Sequence, residues 1–163
     1  MPRATILGLI SDTHGLLRPE ALRALQGADY IVHAGDIGSP EILDALSTIA
    51  PVTAIRGNID TQPWAAAIPE TVTADLAGVR IHVVHNVHDL AIDVRAARIR
   101  LVVSGHSHKP GLRTENGVVY VNPGSAGRRR FRLPVTVATL VLSGPLEPVF
   151  HDLENRESAT LKV

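Results

Sequence analysis

The sequence predicts an α/β fold, a four-layer sandwich of two mixed β-sheets flanked by helices. Two observations lead to it. In the first half, short apolar runs alternate with amphipathic stretches, the pattern of parallel strands buried on both faces and joined by crossover helices. In the second half, apolar runs come in pairs around turn-forming dipeptides, the pattern of antiparallel hairpins. With 163 residues, 45% of them hydrophobic, the chain can bury one such core. A single domain is expected over residues 1–152, with residues 153–163 as a C-terminal tail.

Residues 5–10, 30–33 and 52–55 read as the first three strands. Between the first two, residues 19–28 carry Leu22 and Leu25 at helical spacing. A second helix starts at Ser39-Pro40-Glu41, which supplies an N-cap, a first-position proline and a first-turn acid ahead of Ile42, Leu43 and Leu46. After the loop around Trp64, strands at 70–76 and 80–84 flank Ala77-Gly78. Residues 90–97 are expected to form a third helix before a buried strand at 101–103. Strands at 113–115 and 118–121 flank Asn116-Gly117, a strong hairpin signal because Asn-Gly accepts the positive φ angles of a type I′ turn. Strands at 136–142 and 147–151 close the chain, and no repeat or linker divides it.

Composition narrows the function. Lys and Arg total 16 and so do Asp and Glu, so the chain lacks the basic excess of a protein that lives on phosphate contacts. Bulk nucleic-acid binding is not expected. The run Arg128-Arg129-Arg130-Phe131-Arg132 is one short cluster in a chain with 3% aromatic residues, too little for a nucleic-acid platform. It reads as a solvated loop from which one arginine, with Arg129 as the candidate, helps hold an anionic substrate. Cysteine is absent, which excludes disulfides and leaves nitrogen and oxygen donors for any metal. The apolar runs are strand-sized, short of the roughly 18 residues of a membrane helix, and the start lacks a signal-peptide pattern. A cytoplasmic location without a membrane partner is expected.

The chemistry gathers just past the strands. Ile10 leads into Ser11-Asp12-Thr13-His14, and Ile31-Val32 into His33-Ala34-Gly35-Asp36. Ile55 is followed by Arg56-Gly57-Asn58-Ile59-Asp60, and Val102-Val103 by Ser104-Gly105-His106-Ser107-His108. Crevices at the carboxyl ends of parallel strands are where α/β folds bind ligands. Asp-x-His or His-x-His alone would read as a solvated loop. Together, Asp12, Asp36, Asn58, His14, His85, His106 and His108 supply the oxygen and imidazole donors that two transition-metal ions need.

In these blocks and their order the chain resembles the calcineurin-like metallophosphoesterases, specifically their small single-domain bacterial and archaeal phosphodiesterase branch. The blocks are Asp12-Thr13-His14, Gly35-Asp36, Gly57-Asn58, His85 and Gly105-His106-Ser107-His108, and Asn122-Pro123-Gly124-Ser125 looks like a signature of the small branch. The resemblance implies two divalent cations per chain, manganese foremost, with nickel, iron or zinc as alternatives. It puts Asp12, His14, Asp36 and His108 on the first and Asp36, Asn58, His85 and His106 on the second, with Asp36 as the bridge. By the same resemblance Asp36, Asn58 and His85 are the catalytic core, a hydroxide shared by the metals attacks phosphorus in line, and the substrate is a small phosphodiester.

Other candidates carry narrower roles. Asp60 is expected to orient the loop of Asn58, since carboxylates beside a metal centre commonly fix ligand geometry. His88 lies in a loop beyond His85 and is a candidate to reach the site. His33 reads as a support or as a backbone-bonded strand-end residue, while His82 and His151 read as structural. Two departures from the family pattern stand out. Ile59 occupies a position where many relatives carry a histidine, leaving the general acid unassigned, and Asn86 follows His85 where relatives usually have glycine. The rival readings are a non-catalytic scaffold on the same fold, as in the retromer subunit, and a metal-dependent nuclease. The complete ligand set disfavours the first, and the balanced charge and small size disfavour the second. A homo-oligomer is compatible with either.

Overall fold

The computed structural model describes residues 3–154, and residues 155–163 of the expected tail lie outside the described residues. Strands β1 (Ile6–Ile10), β2 (Tyr30–His33) and β3 (Val52–Ala54) run parallel, with Leu9 opposite Val32 and Val32 opposite Thr53. Helix α1 (Pro19–Leu25) connects the first two and α2 (Pro40–Ser47) the next two. Each starts on a proline, whose missing N–H costs nothing in a first helical turn. Ser39 occupies the N-cap position of α2 without a side-chain bond to a helix amide. The Glu41 pKa is held below its usual range, first by its own backbone N–H and then by the nearby Ser39 hydroxyl.

The second half supplies β4 (Thr71–Leu76), β5 (Val79–Val84), β6 (Leu101–Val103), β7 (Gly111–Glu115), β8 (Val118–Asn122), β9 (Thr136–Val141) and β10 (Val149–Asp152). Two mixed five-stranded sheets result, ordered β10-β9-β1-β2-β3 and β4-β5-β6-β8-β7. The Asn116-Gly117 turn is of the expected kind, with φ of 51° and 78°, and Ala77-Gly78 between β4 and β5 has the same pair of positive angles, 49° and 81°. Strand ends differ from the sequence reading by a residue or two, and a short 3₁₀ turn at Pro63–Ala65 was not foreseen.

Alternation along the strands sorts side chains between layers. Leu7, Leu9 and Val32 of the first sheet meet Ile81, Val83, Leu101, Val103 and Val121 of the second to form the central core. On the other face of the first sheet, Ile10, Ile31 and Val137 are covered by Ala21 and Leu25 of α1 and by Ile42 and Leu46 of α2. Each fully buried aliphatic side chain contributes about 1.5–3 kcal/mol. Leu153, at the start of the expected tail, also packs in this layer, its N–H bonded to the Val135 carbonyl at 2.8 Å.

The outer face of the second sheet differs from expectation. Leu90, Val94, Ala97 and Ile99 do cover Val84, Val102 and Val118, but no helix forms over 90–97. The Asp93 carboxylate accepts the N–H groups of Arg95 and Ala96 and so starts one turn. Arg98 then turns left-handed at φ 60°, Ile99 N–H returns to the Val94 carbonyl at 2.8 Å and Arg98 N–H to Arg95 at 3.0 Å. That Schellman closure ends the segment after a single turn. Among the described residues no helix is long and apolar enough to cross a membrane.

Candidate metal centre

The parallel strands β1, β2, β3, β5 and β6 all present their carboxyl ends to one edge of the sandwich, and the predicted ligands lie on the loops that follow. Those loops are laced by backbone bonds: Asp12 N–H to Gly35 O at 3.0 Å, His14 N–H to Asp36 O at 2.9 Å and Gly105 N–H to His85 O at 2.9 Å. The first two tie the β1 loop to the β2 loop within one sheet, and the third joins the loops after β5 and β6 in the other. The loops are also strained. Asp12, His14, Asp36, His106 and His108 have φ of 54°, 47°, 54°, 69° and 63°, a region that costs a residue with a Cβ about 1–3 kcal/mol.

Side chains converge where the strain is. Asp36 Oδ2 lies 3.4 Å from His14 Nε2 and 3.3 Å from His85 Nε2. Asp12 Oδ1 lies 3.3 Å from His108 Nε2, 3.7 Å from His14 Nε2 and 3.9 Å from His85 Nε2. Two overlapping triads form, Asp12-His14-His108 and Asp12-Asp36-His85, each with its ligand atoms within 4.8 Å of one another. His106 packs edge-on against His85 at 5.2 Å and, with Asn58, lines the open cleft beside these triads.

Whether cations fit here can be judged from what is unsatisfied. Among the described residues, the buried side-chain atoms without a hydrogen-bond partner are Asp12 Oδ1, His14 Nε2, His85 Nε2 and His108 Nδ1, all in this one place. Each unpaired buried polar atom costs about 1–3 kcal/mol, which a bound cation would recover. Imidazole nitrogen with carboxylate oxygen is the donor set of first-row divalent metals. The supporting bonds also suit ligation. His85 Nδ1–H donates to the Ala34 carbonyl at 2.7 Å, leaving Nε2 as a lone pair that faces the carboxylates. Asp12 Oδ2 accepts the Ser11 hydroxyl at 2.6 Å and the His106 N–H at 3.1 Å, leaving Oδ1 free.

The electrostatics follow from this crowding. Burial by itself would raise the Asp12 pKa, yet the neighbouring His108 and His14 imidazoles and the Ser11 hydroxyl hold it far below the usual carboxylate range. Asp36 is likewise lowered against burial, by His85 and the Ile59 N–H. His85 is raised, since the pull of Asp36, the Ala34 carbonyl and Asp12 outweighs its burial. His33 goes the other way. It is fully buried, accepts the Gly35 N–H at Nδ1 and bonds the Thr13 hydroxyl through Nε2, and burial pushes its pKa down to about 4. Thr13 passes the chain of bonds on to the Ile37 carbonyl at 2.7 Å, so a neutral His33 ties the β1 loop to the β2 loop.

The other expected residues fall into place unevenly. The buried Asp60 carboxylate accepts the N–H groups of Ile37, Gly38 and Gly57, at 3.0, 3.0 and 2.8 Å, and so clamps the loops that bear Asp36 and Asn58. His88 is exposed and is not among the residues lining the cleft, whereas its neighbour Asp89 is. Arg129 is exposed and pairs with Glu154 at 3.5 Å. His82 and His151 bond Thr73 and Thr139 on the sheets. Three supports were not singled out from sequence: Ser11, Ser125, whose hydroxyl holds the Asp12 carbonyl at 3.0 Å, and Asn122, whose amide holds the Gly105 carbonyl at 2.9 Å. The Asn122-Pro123-Gly124-Ser125 block was the visible signal for the last two.

Comparison with known proteins agrees with this geometry. A family model described as a calcineurin-like phosphoesterase superfamily domain matches residues 6–144. A probable metallophosphoesterase of Methanothermobacter thermautotrophicus is 33% identical over 132 residues, covering 74% of this chain and 76% of that protein. A solved structure of a novel archaeal phosphodiesterase has a TM-score of 0.75 at 18% identity, covering 90% of this chain and 99% of the other. Vacuolar Protein Sorting 29 from Cryptosporidium parvum reaches 0.78 at 22% identity, covering 97% and 95%. At these identities the two structural likenesses show a shared fold.

Proposed function

The chain belongs to the calcineurin-like phosphoesterase superfamily, and from that membership we propose that it hydrolyses a small phosphodiester with two divalent cations held between its two sheets. The observation that carries the reading is the convergence, at the carboxyl ends of the parallel strands, of the buried, unpartnered Asp12 Oδ1, His14 Nε2 and His85 Nε2, with His108 Nε2 3.3 Å from Asp12 Oδ1. Asp12, His14, Asp36 and His108 would hold one cation, and Asp36, Asn58, His85 and His106 the other. Manganese is the foremost candidate and nickel, iron and zinc suit the same donors. Bound there, the pair would supply Lewis acidity toward the phosphoryl oxygens and acidify water near neutral pH.

The protein's own part is preorganisation. Asp36, placed between His14 and His85, contributes the negative charge that two neighbouring cations require. The Ala34 carbonyl fixes the His85 tautomer, Ser11 and the His106 amide aim Asp12, and Asp60 holds the Asp36 and Asn58 loops in register. The cleft beside His85, about 570 Å³, is large enough for the organic part of a small diester.

The test is hydrolysis of bis-p-nitrophenyl phosphate and p-nitrophenyl phosphate by protein stripped with chelator and reloaded with one metal at a time. The diester is expected to react at least about ten-fold faster. Preference for the monoester would overturn the diesterase assignment, and loss of all hydrolysis with metals bound would favour the scaffold reading.

A further inference from the structure

The cleft beside the metal centre has a charge pattern that bears on which diester it takes, an inference that rests on the diesterase reading above. Its wall carries Arg56, Glu70, Thr71, Asn86 and Asp89 next to His85. Arg56 is the one Arg or Lys on that wall among the described residues, and its charge is paired with Glu70. Nη1 bonds the carbonyls of Ala66 and Ile68 at 3.3 and 3.1 Å, and Nη2 bonds Glu70 Oε1 at 3.2 Å. Asp89 is the opposite case. Its backbone is fixed by an N–H bond to the Asn86 carbonyl at 2.9 Å, while its carboxylate has no ion-pair or hydrogen-bond partner among the described residues. The Asn86 side-chain oxygen accepts the His88 N–H at 3.1 Å, which leaves its amide hydrogens as free donors.

We propose that this cleft binds the organic substituent of the diester, and that Asp89 makes it select an uncharged or cationic group bearing hydroxyl or amino donors. A second phosphate or a carboxylate on that substituent would meet Asp89 and Glu70 with no uncompensated cation to receive it. Hydroxyl and ammonium groups instead find an acceptor in Asp89 and a donor in Asn86. The buried, unpartnered Nε2 of His85 marks where the phosphate end lies, so Asp89 acts on the part of the substrate beyond it. A polyol or nucleoside and an alkylammonium alcohol share this chemistry.

Three aryl diesters with the same p-nitrophenol leaving group separate the sources. They are p-nitrophenyl phosphorylcholine, thymidine 5′-(p-nitrophenyl phosphate) and the latter carrying a 3′-phosphate. The kcat/KM of the 3′-phosphorylated compound is expected to be about ten-fold below that of its parent, with at least one of the other two preferred. Asp89→Asn should shrink that ratio about three-fold and Asp89→Lys should erase or invert it. Equal rates for the two thymidine compounds, or a ratio unmoved by Asp89→Lys, would overturn the proposal. Should the protein hydrolyse none of these esters, the diesterase reading fails by itself. Calorimetry on metal-loaded protein then decides the cleft's preference: thymidine 5′-phosphate binding more tightly than thymidine 3′,5′-bisphosphate supports it, and equal affinities refute it.

Discussion

The carboxylate of Asp36 packs directly on Gly57: a Cβ built on residue 57 would overlap Asp36 Oδ1 and stand 2.9 Å from its Cγ. The glycine of the Gly57-Asn58 pair is therefore there for its neighbour across the loops as much as for its own turn. Gly57→Ala should push Asp36 out of place by the better part of an ångström. Misplacement of that size commonly costs about 10²-fold in rate. A loss near that size, with an unchanged circular dichroism spectrum, is expected. Activity within a few-fold of the parent would show that the loops yield easily and that the fit is incidental.

Asp36→Asn addresses the charge at the same place. A neutral amide keeps the bond from the Ile59 N–H, at 3.1 Å, on its oxygen but cannot offset two cations. Most hydrolysis should disappear, and elemental analysis should find metal falling from two equivalents toward one. Two equivalents retained with near-parental turnover would exclude Asp36 as the bridge.

Metal should also stabilise the fold. The converging Asp12 and Asp36 carboxylates and the unpartnered imidazole nitrogens are an unfavourable arrangement until a cation joins them. A ligand at 100 times its Kd stabilises by about 2.7 kcal/mol per site, and each kcal/mol moves the Tm of a domain this size by about 2–4 °C. Loading should raise Tm by roughly 5–10 °C for a single well-occupied site and by more for two. An identical Tm with chelator and with saturating manganese would mean that no cation joins these groups.

How much of this was legible beforehand depends on the range over which each feature is determined. Strands and hairpins follow from local alternation and from Asn116-Gly117, and the ligand loops follow from position, since each chemical block stands just past an apolar run. The helix expected at 90–97 failed for a local reason that periodicity does not register: Asp93 and a left-handed Arg98 close the turn from both sides. Ser125 escaped because its partner is remote, its hydroxyl reaching Asp12 across 113 positions, and for His33, read as a support or a backbone-bonded strand-end residue, only the partner Thr13, 20 positions away, stayed out of view. Residue type alone does not set a left-handed backbone at His14, His106 or His108, either, although histidine tolerates it better than most. Those conformations are imposed by the loops that hold them.

His33 should leave a mark on acid stability. Its pKa in the folded protein is about 4, pushed down by burial, against about 6.5 for an unperturbed histidine. Between those values the unfolded chain binds the extra proton, so stability is full above about pH 6.5 and falls as pH drops toward 4. The loss over that window is about 3 kcal/mol. In metal-free protein the raised His85 works in the opposite sense, contributing stability at low pH that fades as pH rises through its pKa. Comparing parent with His33→Gln cancels that common part. Urea midpoints from pH 4.5 to 8 should fall more steeply on the acid side for the parent, and parallel profiles would mean that His33 accepts its proton in the folded state without penalty.

The last expectation concerns the leaving group. Ile59 follows Asn58, gives its N–H to Asp36 and is 40% exposed, so the side chain at this position is apolar and cannot donate a proton. His88 is exposed and lies outside the lining of the cleft, which leaves, among the described residues, no well-placed imidazole beyond those of the candidate metal centre. General acid catalysis typically contributes roughly 10²–10⁴-fold, and without it the departing oxygen must carry more charge in the transition state. Rates for substituted aryl phosphodiesters at fixed metal and pH should therefore rise steeply as the phenol becomes more acidic, and simple dialkyl diesters should react far more slowly. Ile59→His should flatten that dependence if the new imidazole reaches the leaving oxygen, and His88→Ala should leave it unchanged. A flat series in the parent that turns steep in His88→Ala would make His88 the acid through a movement of its loop. A flat series in both proteins, with chemistry shown to be rate-limiting by single-turnover kinetics, would mean that another donor serves the leaving group and that Ile59 does not define this site's chemistry.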